Sequence, residues 1–153
     1  MAFRIESPGF RNGERIPKVY TCDGDDVSPA IVWHEPPTGT KSFAVICDDP
    51  DAPMGTWVHW VIYSIPLEQT QLGENIPKVE NLPGGAVQGL NSWRKIGYGG
   101  PCPPPGKPHR YFFKLYALDI KFESPPGIPK DNLLISLEGH VLAKTELMGL
   151  YGR

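Results

Sequence analysis

The chain has 153 residues, of which 17 are Gly and 18 are Pro, together about 23%, against about 12% in ordinary proteins. Four Trp, six Tyr and six Phe, a hydrophobic fraction of 40% and a net charge of −2 exclude a disordered chain, which is poor in aromatics and strongly charged. Lys+Arg 15 against Asp+Glu 17, with a pI near 6.1, leaves no basic field for nucleic acid. No apolar run is long enough to span a membrane.

The N-terminus, MAFRIESPGF, lacks the charged-then-apolar pattern of a signal segment. No repeat or linker divides the chain, so residues 1–153 are read as one domain. Proline breaks helices, and the longest Pro-free window is Lys130–Arg153. A strand-dominated fold is therefore expected. Cys22, Cys47 and Cys102 are odd in number and lack CxxC spacing, so free thiols in a reduced cytoplasmic protein are expected.

In chain order, Phe3–Ile5 alternates weakly and suits a short edge strand. Ala30–Trp33 is apolar and bounded by Pro29 and Pro36-Pro37, which limits it to one short strand. Ser42–Asp48 and Trp57–Ile65 are apolar on both faces, as in strands covered on both sides. The short loop DPDAPMGT at 49–56 makes them an antiparallel hairpin. Pro66–Pro108 is rich in Gly and Pro and holds only short candidate strands. Arg110–Leu118 reads as a third long strand. Pro129 and Asp131 signal a helix start, Leu133, Leu134 and Leu137 share a helical face, and Gly139 is the stop. Ala143–Tyr151 alternates and is read as a last strand.

His34 and His140 sit at element ends and read as surface residues, His140 as a cation suited to a helix C-terminus. His59 and His109 lie in apolar strands instead. Two-residue periodicity puts His59 on one face with Trp57, Val61, Tyr63 and Ile65, and His109 with Tyr111, Phe113, Leu115 and Ala117. Arg110 and Lys114 occupy the opposite face, toward solvent or an acidic partner. Hairpin geometry brings Asp49 to the same sheet end as His59, where a carboxylate on one ring N–H would aim the other nitrogen into a cavity. Asp48 and Asp51 flank it, and the two X-Pro bonds of the loop invite a cis peptide.

GYGGPCPPPGKP at 97–108 is stiff and unable to pair regularly. Its Gly99-Gly100 pair offers bare amides for an anion nest, without the Lys-[Ser/Thr] ending of a nucleotide-binding loop. Three chemistries fit these groups: an anion pocket, a two-His-one-carboxylate metal site, and a hydrolase with Cys102 or a Ser as nucleophile. Asp49 and His59 bonding each other weakens the metal option. The absence of GxSxG, and of a helix N-terminus at Cys102, weakens the hydrolase. Site chemistry favours binding over catalysis.

DPDAP at 49–53, WVHW at 57–60 and GYGGPCPPPGKPHRYFFKLYALD at 97–119 resemble the phosphatidylethanolamine-binding protein family, whose eukaryotic members are also called Raf kinase inhibitor proteins. SPAIVW at 28–33 and GHVLAKTELMGLYGR at 139–153 extend the resemblance over nearly the whole chain, and it is strongest to the short bacterial and archaeal branch. It implies a mainly β fold, with a large central antiparallel sheet packed on a smaller one and one or two short helices, one near the C-terminus. It also implies a surface pocket for phosphate-like anions or phospholipid head groups, with no cofactor and no metal. That pocket would be Asp49, His59, His109 and Tyr111, with Gly99, Gly100 and Pro101 as a backbone wall, Trp57 beside it and Asp51 shaping the loop. Ala52-Pro53 would be cis.

Eukaryotic members continue into a C-terminal helix that helps gate the pocket; a sequence stopping at Arg153 implies a more open one. Asp26, where prokaryotic relatives often carry Asn, is expected to affect only a loop. The resemblance further implies a homodimer and modulation of a kinase or other signalling partner. The alternatives are a hydrolase using Asp49, His59 and His109, and a protease or kinase inhibitor acting through surface loops.

Overall fold

A computed structural model describes residues 2–153. Three of its four long strands are those marked by apolar runs: β3 (Ser42–Asp49), β4 (Trp57–Pro66) and β7 (His109–Leu118). β1 (Arg4–Glu6) and β2 (Ile31–His34) precede them, and the Gly/Pro-rich stretch contributes only β5 (Gln71–Leu72) and β6 (Val87–Gln88). The tail forms α1 (Lys130–Leu137) and β8 (Val141–Tyr151), and a short 3-10 turn spans Lys18–Tyr20. The fold is mainly β, with two antiparallel sheets ordered β1-β2-β5 and β6-β4-β3-β7-β8.

The small sheet covers one face of the large one. Ile5, Ile31, Trp33 and Leu72 pack there with Phe43, Val45, Ile62, Phe113 and Leu115. Helix α1 covers part of the other face, placing Leu133 and Leu137 with Ala44, Ile46, Val61, Tyr63, Tyr116 and Leu118. β3 is buried along its whole length because both faces are covered. Adjacent residues of a strand point to opposite faces, so Asp48 and Asp49 part company. Asp48 turns to the α1 side and holds Lys130 Nζ at 2.7 Å and Lys114 Nζ at 3.1 Å. The acidic partner of the β7 outer face is thus within the chain, and it ties the first turn of α1 to the sheet.

Two β-bulges in β4 overturn the simple alternation expected there. The register steps from Cys47↔Trp60 to Asp48↔Val58, and from Phe43↔Ile65 to Val45↔Ile62. The extra residues are His59 and Ser64, and Ser64 sits at φ +57. A bulge re-aims side chains and shifts the period. Trp60, Ile62 and Ile65 therefore face the small sheet, while Val61 and Tyr63 face α1. His59 stays on the small-sheet side next to Trp60, away from Val61 and Tyr63.

Cys22 and Cys102 form a disulfide, with Cα atoms 5.4 Å apart, a spacing such a bond requires. The expectation of three free thiols, and the reducing compartment inferred from it, loses its premise at these two residues. Cys47 is free and buried. Every peptide bond among the described residues is trans, so the implied cis Ala52-Pro53 bond is absent. The loop turns by other means. Asp51 N donates to Asp49 Oδ1 at 2.7 Å, and Gly55 N, from a residue at φ +108, closes on Ala52 O at 3.1 Å.

Gly149 on β8 illustrates how tightly the N-terminal segment seals the large sheet. A Cβ there would lie 2.4 Å from Ile16 Cγ1 and 2.8 Å from Phe10 Cε2. Gly149→Ala is expected to lower stability by about 1–3 kcal/mol through overpacking, read as a lower urea midpoint with unchanged slope.

Candidate functional site

At the end of the large sheet where β3, β4 and β7 meet the loops, a cavity of about 650 Å³ opens, a size suited to a small-molecule ligand. β3 delivers Asp49, β4 delivers Trp57 and His59, and β7 delivers His109 and Tyr111; all five line it. Gly99 and Gly100 line it as well. Pro101 is buried behind the wall, where its carbonyl accepts from Cys22 N at 3.1 Å. Asp51 stays outside the cavity. Its carboxylate takes Arg110 Nε, Nη2 and backbone N, each at 2.9 Å. The Arg110 side chain holds its pKa down at about 2, so it shapes the loop.

The carboxylate–imidazole pairing differs from the one expected. Asp49 is buried, and its Oδ2 accepts from His109 Nδ1 at 2.7 Å. His59 Nδ1 instead donates to the Gly99 carbonyl at 2.7 Å. The bulge and the pairing of β3 with β7 explain the exchange: the end of β7 lies beside Asp49, while His59 is turned toward the 97–100 loop. Both histidines spend Nδ1 on the protein and keep Nε2 for the cavity. Burial lowers the His59 pKa, against the raising effect of its bond to Gly99 and of the Asp49 charge.

Tyr111 lies between the rings. Its ring centroid is 5.2 Å from His59, edge-on, and 6.4 Å from His109, stacked. Its hydroxyl is buried without a hydrogen-bond partner. Burial first, then the Asp49 charge, pushes its pKa far up, so the phenol remains a neutral donor.

The glycines have another job than the one expected. Gly99 N donates to His59 O at 2.9 Å and Gly100 N to Asp26 Oδ1 at 2.7 Å, so neither amide is bare. Their lack of a side chain serves close approach. A Cβ on Gly99 would lie 2.4 Å from the Trp93 ring, and one on Gly100 would lie 2.3 Å from Tyr20 O. Asp26, at φ +59 and paired with Lys78 Nζ at 3.6 Å, pins this wall, a larger part than the loop effect expected of it.

Trp93 is the main residue that the sequence reading overlooked. Its ring packs edge-on to Trp57 at 5.5 Å and to His59 at 5.1 Å, and it is partly exposed on the cavity rim. It sits in a stretch without strand periodicity; an aromatic among loop residues beside other site residues was the available signal. Among the described residues no three His, Cys, Asp or Glu side chains group as metal ligands, and Asp49 is already committed to His109. Cys102, bonded to Cys22, is not available as a nucleophile.

An unpartnered buried hydroxyl costs about 1–3 kcal/mol. Tyr111→Phe is therefore expected to leave thermal stability equal to or slightly above that of the parent, measured by calorimetry on ligand-free protein.

The family model for phosphatidylethanolamine-binding protein matches residues 6–152. A UPF0098 protein of Aquifex aeolicus is 51% identical over 97% of this chain and 88% of its own. One from Methanothermobacter thermautotrophicus is 50% identical over 97% and 98%. Among solved structures, Escherichia coli YbcL, a member of the mammalian PEBP family, superposes with TM-score 0.92 at 35% identity, covering 99% of this chain and 98% of that one. A phosphatidylethanolamine-binding protein homologue from Chlamydia trachomatis gives 0.90 at 38%, with the same coverage. With the match spanning the sheets, the DPDAP loop and the His109–Tyr111 strand alike, the chain belongs to the phosphatidylethanolamine-binding protein family.

Proposed function

We propose that the protein is a non-enzymatic binding protein whose cavity takes a phosphate-type anion, free or as a phospholipid head group. The observation that carries this reading is the Tyr111 hydroxyl, a buried donor without a partner on the cavity floor. Beside it stand two imidazoles, each with Nδ1 already used and Nε2 left over. A protonated imidazole and a neutral phenol both donate to an anion. The reading favours binding over hydrolysis because the cavity lining contains no Ser or Thr, and its two cysteines are bonded to each other. The resemblance to Raf kinase inhibitor proteins makes modulation of a signalling partner the downstream role that goes with this pocket.

Two measurements test it. Titration with inorganic phosphate and with phosphorylethanolamine, followed by NMR, should move the His59 and His109 ring signals; signals that stay still at millimolar ligand would overturn the reading. Tyr111→Phe should weaken phosphate binding about tenfold or more, the worth of a hydrogen bond to a charged group, although it leaves stability intact. The pH dependence has a definite sign. Burial keeps His59 neutral down to below its ordinary 6.5, so a proton taken up to hold an anion raises that midpoint, and affinity falls as pH rises. The depressed pKa also stabilises the free protein above about 6.5, a contribution lost as pH falls through the folded-state value.

A further inference from the structure

Cys22 and Cys102 both line the cavity. Their bond closes a loop across 80 residues of sequence separation and joins the 3-10 turn region to the Pro-rich wall. Cys102 is exposed and Cys22 half-buried, so a thiol in solution reaches Cys102 Sγ first. The wall is held unevenly on the two sides of this bond. Before it, Gly99 N, Gly100 N and Pro101 O are all hydrogen-bonded to the body of the protein. After it, prolines at 103, 104, 105 and 108 remove backbone donors. Residues 102–107 are left with the ties of Arg153, whose Nη1 donates to Pro103 O at 3.3 Å and whose O accepts from Gly106 N at 3.2 Å.

We propose that the Cys22–Cys102 disulfide is a redox-addressable site that sets the shape of the anion cavity. Reduction by a dithiol frees the Pro-rich wall and lowers affinity for the anion. A reductant thiolate attacks Cys102 Sγ, the S–S bond breaks, and its electron pair leaves on Cys22 Sγ, which takes up a proton. The second thiolate of the reductant attacks its own sulfur in the mixed disulfide, and Cys102 leaves and is protonated. The protein gains two electrons and two protons as two thiols, and the dithiol becomes its own disulfide. The effect on affinity rests on the anion reading above; the movement of the wall does not.

The test uses the whole chain, air-oxidised or treated with dithiothreitol, with thiols counted under denaturing conditions to show complete reduction. The backbone amide signals of Gly99, Gly100 and Gly106 and the side-chain signal of Trp93 report the wall; those of Val45 and Leu115 report the sheet interior. Reduction is expected to shift the wall signals, leave the interior signals in place, and raise the Kd for inorganic phosphate about fivefold or more, the usual lower size of a coupling between two sites. The double variant Cys22→Ser/Cys102→Ser should match the reduced protein and ignore dithiothreitol. Wall signals and Kd unchanged after complete reduction would overturn the proposal. So would collapse of the interior signals, which would make the bond a general staple. Should the double variant not fold, the reduced parent decides alone. Phosphate binding to neither form would overturn the anion reading instead, and the wall signals would then decide whether the bond shapes the cavity.

Discussion

The buried carboxylate of Asp49 is the junction on which the site depends. One oxygen closes the turn of the DPDAP loop on Asp51 N, and the other holds His109 Nδ1. A single group thus sets the loop at the end of β3 and the tautomer and tilt of an imidazole on β7, and its negative charge adds to the burial that keeps the Tyr111 phenol protonated. Such a group is costly to bury unless its lone pairs are used, and here both oxygens have donors. Asp48, one residue earlier, does the parallel task on the opposite face through Lys114 and Lys130. Consecutive carboxylates on a strand covered on both faces thereby order the cavity on one side and the C-terminal helix on the other.

Around this junction the cavity is a division of labour between rigid sheet and stiff loop. The strands place Asp49, His59, His109 and Tyr111 on hydrogen-bonded backbone, which keeps binding groups in position without ligand. The loop 97–108 supplies shape. Its glycines admit Trp93 and the Tyr20 carbonyl at close range, its amides are consumed by His59 and Asp26, and its prolines restrict the chain. The donors offered to an anion are imidazole and phenol rather than a nest of amides, and Lys78 and Lys95 on the lining add positive charge. The proposed reading therefore ties affinity to pH through the imidazoles.

The long strands, the hairpin and the tail helix were legible because continuous apolar runs and Pro/Gly punctuation carry them directly. The four polar strand residues of the cavity, Asp49, His59, His109 and Tyr111, are legible as a set because polar residues are conspicuous in apolar strands. Their connections were not. A two-residue period cannot announce the bulge at His59, so it pairs Asp49 with the wrong histidine. The glycines look like free donors because a sequence does not reveal which partners consume an amide. Cys22 and Cys102 look free in the sequence because a pair so far apart is joined only by tertiary structure. Trp93 and Asp26 came to the wall from loops, where periodicity gives no signal.

In the proposed function an anion completes the hydrogen bonding of Tyr111. A crystal structure of the oxidised protein soaked in inorganic phosphate tests it most directly. Tetrahedral density is expected with an oxygen within hydrogen-bond distance of Tyr111 Oη, about 2.5–3.0 Å, and a second oxygen facing His109 Nε2 or His59 Nε2. A cavity holding only water at saturating phosphate, with the Tyr111 hydroxyl satisfied by that water, would contradict it.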